Sequence, residues 1–350
     1  MSRARSLVWV LALAALALLS LRAFVGDLFT VGSSSMEPTL FPGDRVLVRF
    51  TDELPTRGEV VVVRATGDDP LVKRVVGLPG EELSITSSGD LLVDRAPLDR
   101  SLGILPLVPV FQATRCDWSP PWSEAPESMA EGGWSLSGSL RTAFDVTDGH
   151  LDAEGQWLAG EVSVADLAVT LLGLRIREGS TLELTLTEGG DQLFVSVLPE
   201  GDRVTVRLGR RAPLPGAGRD APSLRAPLAE GEAPWSGSSP HALTVANLDD
   251  RLLVRLDGAV VLEAALGPAT VGPPVQPRVT LEAEEVTFED LLVERDLHYT
   301  RRGAFGVDAP VRLGPGELFL LGDASGRSTD SREFGPVPLG EVLGRVVGLR

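Results

Sequence analysis

The chain has 350 residues, 43% of them hydrophobic, which is enough for one large domain or two ordinary ones with real cores and excludes disorder throughout. A formal net charge of −17 excludes nucleic acid as a partner, because a phosphate backbone repels such a balance. One cysteine, Cys116, and three scattered histidines, His150, His241 and His298, offer no disulfide and no zinc-ligand spacing, so neither metal nor other cofactor is expected.

The charge is uneven along the chain. Residues 106–299 carry 30 acidic and 14 basic side chains, and the remainder 19 and 18, a shift that marks two units of different character. Of the 32 basic residues only Lys73 is a lysine. An arginine-rich composition accounts for the other 31 but not for this exception. Lysine can shed its proton when buried, whereas arginine cannot.

In chain order, residues 1–6 hold Arg3 and Arg5 and precede an apolar run at 7–25, interrupted by Ser20 and Arg22. As a helix that run is roughly 28 Å long at 1.5 Å per residue, close to the ~30 Å of bilayer hydrocarbon. No small-x-small cleavage site follows it. The segment is therefore expected to be an uncleaved transmembrane anchor in the lipid bilayer, with a cytoplasmic N-terminus and everything beyond residue 26 on the outer, extracytoplasmic side.

Beyond the anchor the pattern is mainly β. Strand-like runs stand at Arg45–Phe50, Glu59–Arg64, Leu71–Val76 and Leu91–Asp94, separated by Gly, Pro, Asp and Ser. Residues 106–299 hold more: Leu182–Leu186, Leu193–Val197, Arg203–Leu208, Ala242–Asn247, Leu252–Leu256, Ala259–Leu262 and Arg278–Glu282, with frequent turn residues, as in a β-sandwich. Ala212–Pro234, rich in Pro, Gly and Ala, reads as a long loop. Strands return at Glu317–Leu321 and Glu341–Leu349. The expected organisation is a catalytic β domain in two parts, residues 26–105 and 300–350, interrupted by an acidic sandwich at 106–299.

Candidate chemistry is narrowed by elimination. No Gly-x-Ser-x-Gly elbow accompanies the histidines, which read as structural. The stretch Gly322–Thr329 lacks the lysine and the spacing of a phosphate loop, and acidic pairs such as Asp249-Asp250 lack a calcium-loop pattern. What remains is Ser33-Ser34-Ser35-Met36-Glu37-Pro38, then Lys73-Arg74-Val75-Val76-Gly77, then Gly322-Asp323 through Ser328, Asp330 and Arg332. Ser35 needs a base to attack a carbonyl, and the sole lysine is the candidate. At an ordinary pKa only about 0.04% of Lys73 would be neutral at pH 7, so its apolar neighbours Leu71, Val72, Val75 and Val76 must lower it.

These three boxes resemble, in order, those of bacterial type I signal peptidases, membrane-bound serine endopeptidases with a Ser/Lys dyad. The resemblance implies Ser35 as nucleophile, Lys73 as general base and Ser328 as the hydroxyl orienting the amine. It further implies Ser33 with the Ser35 N–H as oxyanion donors, and Asp330 and Arg332 as a supporting pair. Val31, Met36, Leu40, Leu71 and Val72 stand where the family lines shallow pockets for small residues, and signal peptides of exported preproteins are the implied partners. Gly32 replaces the family's usual Pro, and Ala324-Ser325 its usual Asn-Arg. The resemblance covers about residues 27–100 and 300–350. The middle segment has the look of a laminin-G or concanavalin-like jelly roll, with no ligand implied. Two rivals remain: a self-cleaving repressor-type Ser/Lys domain, which the anchor opposes, and a membrane-tethered protein whose jelly roll binds glycan or protein beside a relict protease.

Overall fold

The computed structural model describes residues 26–349, apart from 51–52, 65–68, 88, 99–104, 119–121, 124, 143–145, 189, 213–223 and 268–278. The expected anchor at 7–25 lies outside the described residues. Among those described, no helix is long and apolar enough to cross a membrane. The protein is mainly β, and its only α-helix among the described residues is the short Ser331–Phe334.

Two compact units divide the chain, Met1–Asp99 with His298–Arg350 and the intervening Arg100–Leu297. His298 thus belongs to the first unit, not to the acidic segment in which the sequence reading placed it.

The first unit is built on a seven-stranded sheet. Its four leading strands are β1 (Asp27–Thr30), β2 (Arg45–Arg49), β3 (Val60–Val63) and β4 (Leu71–Gly77). The order is β1, β2, Val342–Leu349, β3, β4, Glu317–Leu321, Val337–Pro338, so the last fifty residues supply three strands to a sheet begun by the first fifty. β3 and β4 lie inside the sheet, and both are near-continuous apolar runs because both of their faces are covered. Val46, Val48 and Val62 form one cluster, and Val61, Val63, Val75, Leu318 and Leu320 another. Lys73 and Arg74 sit in the middle of this arrangement, paired across to Val61 and Val60.

The second unit carries a branched sheet of thirteen strands over one core. Leu167–Ile176 joins its two arms: the first half pairs with His241–Leu248 and Asp290–Arg295, the last two residues with Val279–Phe288. Gly173, at φ +66°, lies in the irregularity between Leu171 and Leu174 where the strand changes partners. Leucines and valines of both arms, among them Leu184, Val195, Val206, Val245, Val254 and Leu281, meet in that single core.

One expectation is overturned here. Leu224–Pro234 is not loop but an edge strand, paired along its length with Arg203–Ala212. An edge strand tolerates Pro227, which lies opposite Gly209 just past a register shift. Arg203 and Arg207 reach across to Glu232 and Glu230 at 2.7 and 2.8 Å. Cross-strand pairing, which a single-segment reading cannot see, outweighs the low strand propensity of Pro, Gly and Ala.

Candidate active site

Ser35 lies in a single 3-10 turn, Ser34–Met36, between β1 and β2. Met36 and Leu40, fully buried in the cluster with Val46, Val48 and Val62, anchor that turn to the sheet. Val31, buried in the same cluster, holds the chain on the other side of Ser35 in sequence. Lys73 projects from the centre of β4, 2% exposed, and its Nζ donates to Ser35 Oγ at 2.7 Å and to the Val72 carbonyl at 3.0 Å. Ser33 Oγ donates to Ser35 Oγ at 3.2 Å.

Burial brings the Lys73 ammonium down from its ordinary 10.5 to about 8. The fields of Asp330 and Asp323 oppose that fall, and Arg332 assists it. At pH 7 roughly a tenth of Lys73 is then neutral, over a hundred times more than for a solvated lysine. A base bonded to a serine hydroxyl and titrating near neutrality is the arrangement that general-base activation requires.

Two buried ion pairs hold the loop that faces Ser35. Arg74, adjacent to Lys73 but on the other face of β4, donates through Nε to Asp323 Oδ1 at 2.8 Å and through Nη1 to the Gly58 carbonyl at 2.7 Å. Thr39 Oγ1 donates to the second oxygen of Asp323. Arg332, 1% exposed, grips Asp330 with two parallel bonds, Nε to Oδ1 at 2.9 Å and Nη2 to Oδ2 at 2.8 Å. Asp330 Oδ2 in turn accepts from the Gly322 N–H at 3.1 Å, and the Ala324 N–H donates to the Ser35 carbonyl at 3.1 Å. Both pairs are desolvated, so breaking either by removing one partner costs about 3–5 kcal/mol.

The predicted site residues are distributed as follows. Ser33, Ser35 and Lys73 meet directly, and Asp330 and Arg332 form a buried pair rather than a surface one. Ser328 is 2% exposed beside Gly322, and its hydroxyl has no hydrogen-bond partner among the described residues, so the Lys73 contact expected of it is not made. Val31, Met36 and Leu40 are wholly buried, with Val72 packed on their cluster and Leu71 on the other. Side chains so enclosed shape a surface pocket only from beneath.

The sequence calls for burial of Lys73 by its apolar neighbours and is silent on Arg74. Both are buried, because a central strand covered on both faces hides consecutive side chains. Gly322, Thr39 and Asp323 received no role. A Cβ on Gly322 would stand 2.2 Å from Ser328 Oγ and 2.5 Å from the Ser35 carbonyl, so only glycine lets those two segments meet. The signal for Asp323 lies in the sequence: an arginine next to the lysine on an apolar strand calls for a buried acid, and Gly322-Asp323 stands in the last box.

The sequence profile described as signal peptidase, peptidase S26, matches residues 4–105 and 275–349, half of the chain. The chain belongs to that family. A probable signal peptidase I-2 of Synechocystis sp. is 37% identical over 95 residues, covering 24% of this chain and 42% of that protein. Signal peptidase I of Pseudomonas fluorescens is 37% identical over 93 residues, covering 22% of this chain and 33% of its own length. The chain thus spans less than half the length of these peptidase S26 relatives. Among solved structures, the carbohydrate-binding module CBM66 from Bacillus subtilis aligns over 50% of this chain and 92% of its own, at 12% identity and a TM-score of 0.28. A likeness that slight assigns the middle unit neither fold nor ligand.

Proposed function

We propose that this protein is a signal peptidase I, a membrane-bound serine endopeptidase that removes signal peptides from exported preproteins. The observation that carries the reading is the 2.7 Å contact between Ser35 Oγ and the amine of a buried lysine whose pKa is about 8. Neutral Lys73 takes the Ser35 proton as Oγ attacks the scissile carbonyl. The Ser33 hydroxyl and the Ser35 N–H receive the developing oxyanion, the electrostatic contribution that acyl transfer depends on most. Collapse returns the proton from Lys73 to the departing amine and leaves an acyl-enzyme on Ser35. Water, deprotonated by the same amine, then releases the signal peptide.

In this reading Ser328 turns toward Lys73 to orient its amine, and Asp330 with Arg332 holds the loop that carries it. The substrate lies extended beside the site, small residues filling depressions shaped by Val31, Met36, Leu40, Leu71 and Val72. Residues 7–25 anchor the enzyme in the cytoplasmic membrane with residues 1–6 inside and the catalytic unit on the extracytoplasmic side. The middle unit is a jelly-roll-like insertion. A protein whose protease unit is relict would have no reason to keep Ser35 and Lys73 in contact.

The test is cleavage of a preprotein by detergent-solubilised wild type, Ser35→Ala and Lys73→Arg. Both variants should lose at least about a thousandfold in kcat/KM, since nucleophile and base act as a unit. Activity retained by Lys73→Arg, whose guanidinium cannot accept a proton, would refute the dyad.

A further inference from the structure

Arg332 is gripped twice. Its bonds to Asp330 account for Nε and one hydrogen of Nη2, and the rest of the guanidinium faces a different set of acceptors. Nη1 donates to Ser325 Oγ at 2.6 Å and to the carbonyl and hydroxyl of Thr300, each at 2.8 Å. Nη2 also donates to the Ser325 carbonyl at 2.8 Å. Ser325 and Thr300 are tied to each other as well: the Thr300 N–H donates to Ser325 Oγ at 2.7 Å, and the two hydroxyls stand 3.2 Å apart. The backbone following Thr300 closes over the same residue, with the N–H groups of Ala304 and Phe305 on the Arg332 carbonyl at 2.7 and 3.0 Å. Gly303, at φ +110°, passes so close to that carbonyl that a Cβ would stand 2.4 Å from it. Ser325 is 4% and Arg332 1% exposed, so the bonds between these two are made out of reach of bulk water, while those to Thr300 are part-buried.

We propose that Ser325 and Thr300 are positioning residues of the catalytic centre, a second clamp on Arg332 that fixes the Asp330–Arg332 pair and, through it, the Gly322–Ser328 loop against Ser35. The chain of contacts runs from Thr300 and Ser325 to Arg332, from Arg332 to Asp330, from Asp330 to the Gly322 N–H, and from that loop to the Ser35 carbonyl. Neither hydroxyl touches substrate. Both act by holding a charge in place.

The charges around Lys73 make the clamp measurable. Asp323 and Asp330 face the amine and favour its protonated form, Arg332 disfavours it, Arg74 is occupied by Asp323, and Glu37 beside the nucleophile turn is 3.1 Å from Arg327. An Arg332 released from its outer clamp moves away, leaving Asp330 less neutralised, and Lys73 holds its proton to higher pH.

The proposal deepens the signal-peptidase reading but can be tested without it, because Lys73 is the only lysine in the chain. Protein labelled with 13C at lysine Cε, in detergent and without lysine in any tag, gives a single lysine signal whose shift reports the Lys73 protonation state. That signal should titrate near 8 in the wild type and half a pH unit or more higher in Ser325→Ala and Thr300→Val. Ser325→Thr, which keeps the hydroxyl, should return it. The acid limb of preprotein cleavage should move with it, so that Ser325→Ala loses about threefold or more in kcat at pH 7 and recovers much of it above pH 9, with KM unchanged. An unaltered lysine titration in both hydroxyl-deleted variants would overturn the clamp, as would a loss of rate that is the same at every pH. Failure of the wild type to cleave any preprotein would count against the function and leave the titration result to stand by itself.

Discussion

The lysine proposed as general base also weakens the fold. Its pKa falls from 10.5 to about 8 on folding, so between those values the unfolded chain binds more protons than the native one and stability rises with pH. Below pH 8 both states are protonated, and the burial cost is fully present at about 3 kcal/mol. Lys73→Met, similar in size and without charge, should therefore be inactive yet more stable by roughly 2–3 kcal/mol at pH 7. The gain should shrink through pH 8 to 10.5 and vanish above it, which urea denaturation at a series of pH values would measure. A wild type whose stability is flat across that window would show that Lys73 is not desolvated. Gly322 makes the opposite trade. In Gly322→Ala the added methyl group collides with Ser328 Oγ and with the Ser35 backbone, and displacing these by even an ångström costs on the order of a hundredfold in rate. The expected result is a fall of that size in kcat, with KM little changed and an otherwise intact fold by circular dichroism.

At the scale of elements, what can be read from sequence depends on whether a strand's partners are needed to recognise it. β2, β3 and β4 are dense in Val and Leu and bounded by turn residues, and they form where their composition places them. So does Glu317–Leu321. The contact between Ser35 and Lys73 was legible for the same reason, since each stands in a short box on or beside such an element. Leu224–Pro234 was not, because its strand character resides in the hydrogen bonds offered by Arg203–Ala212. Nor was the role of Thr300 and Ser325, whose meaning depends on a guanidinium brought to them by the turn into Ser331–Phe334. The same hairpin shows which of its contacts carry energy. Arg203–Glu232 and Arg207–Glu230 are about half exposed on both sides, so Glu230→Gln and Glu232→Gln should each alter stability by less than about 1 kcal/mol. Leu208, on the same strand but 1% exposed within the core, should cost about 2–5 kcal/mol as Leu208→Ala. Equal effects of the two kinds of substitution in chemical denaturation would contradict this assignment of the core.

For the whole molecule, the decisive fact is that no element of the dyad, its ion pairs or its clamp comes from the middle of the chain. Ser33, Ser35, Thr39, Lys73 and Arg74 precede Asp99, and Thr300, Gly322, Asp323, Ser325, Ser328, Asp330 and Arg332 follow His298, so all belong to the first compact unit. That unit has its own clusters of buried Val, Leu and Met, and Arg100–Leu297 has another formed from its own residues. Units with separate cores unfold as separate cooperative blocks unless an extensive apolar interface joins them. Two consequences can be checked together. A fragment spanning Arg100–Leu297 should be soluble at its strongly acidic balance and should unfold in one cooperative transition. The complementary protein, with those residues replaced by a short Gly-Ser linker, should cleave a preprotein at a kcat/KM within about tenfold of the full chain, because loop length between fixed ends changes the closure cost only slowly. A shortened protein that folds but has lost the dyad's activity altogether would mean that the middle unit is part of the catalytic machinery. Retained activity would instead assign that acidic β unit a role outside peptide hydrolysis.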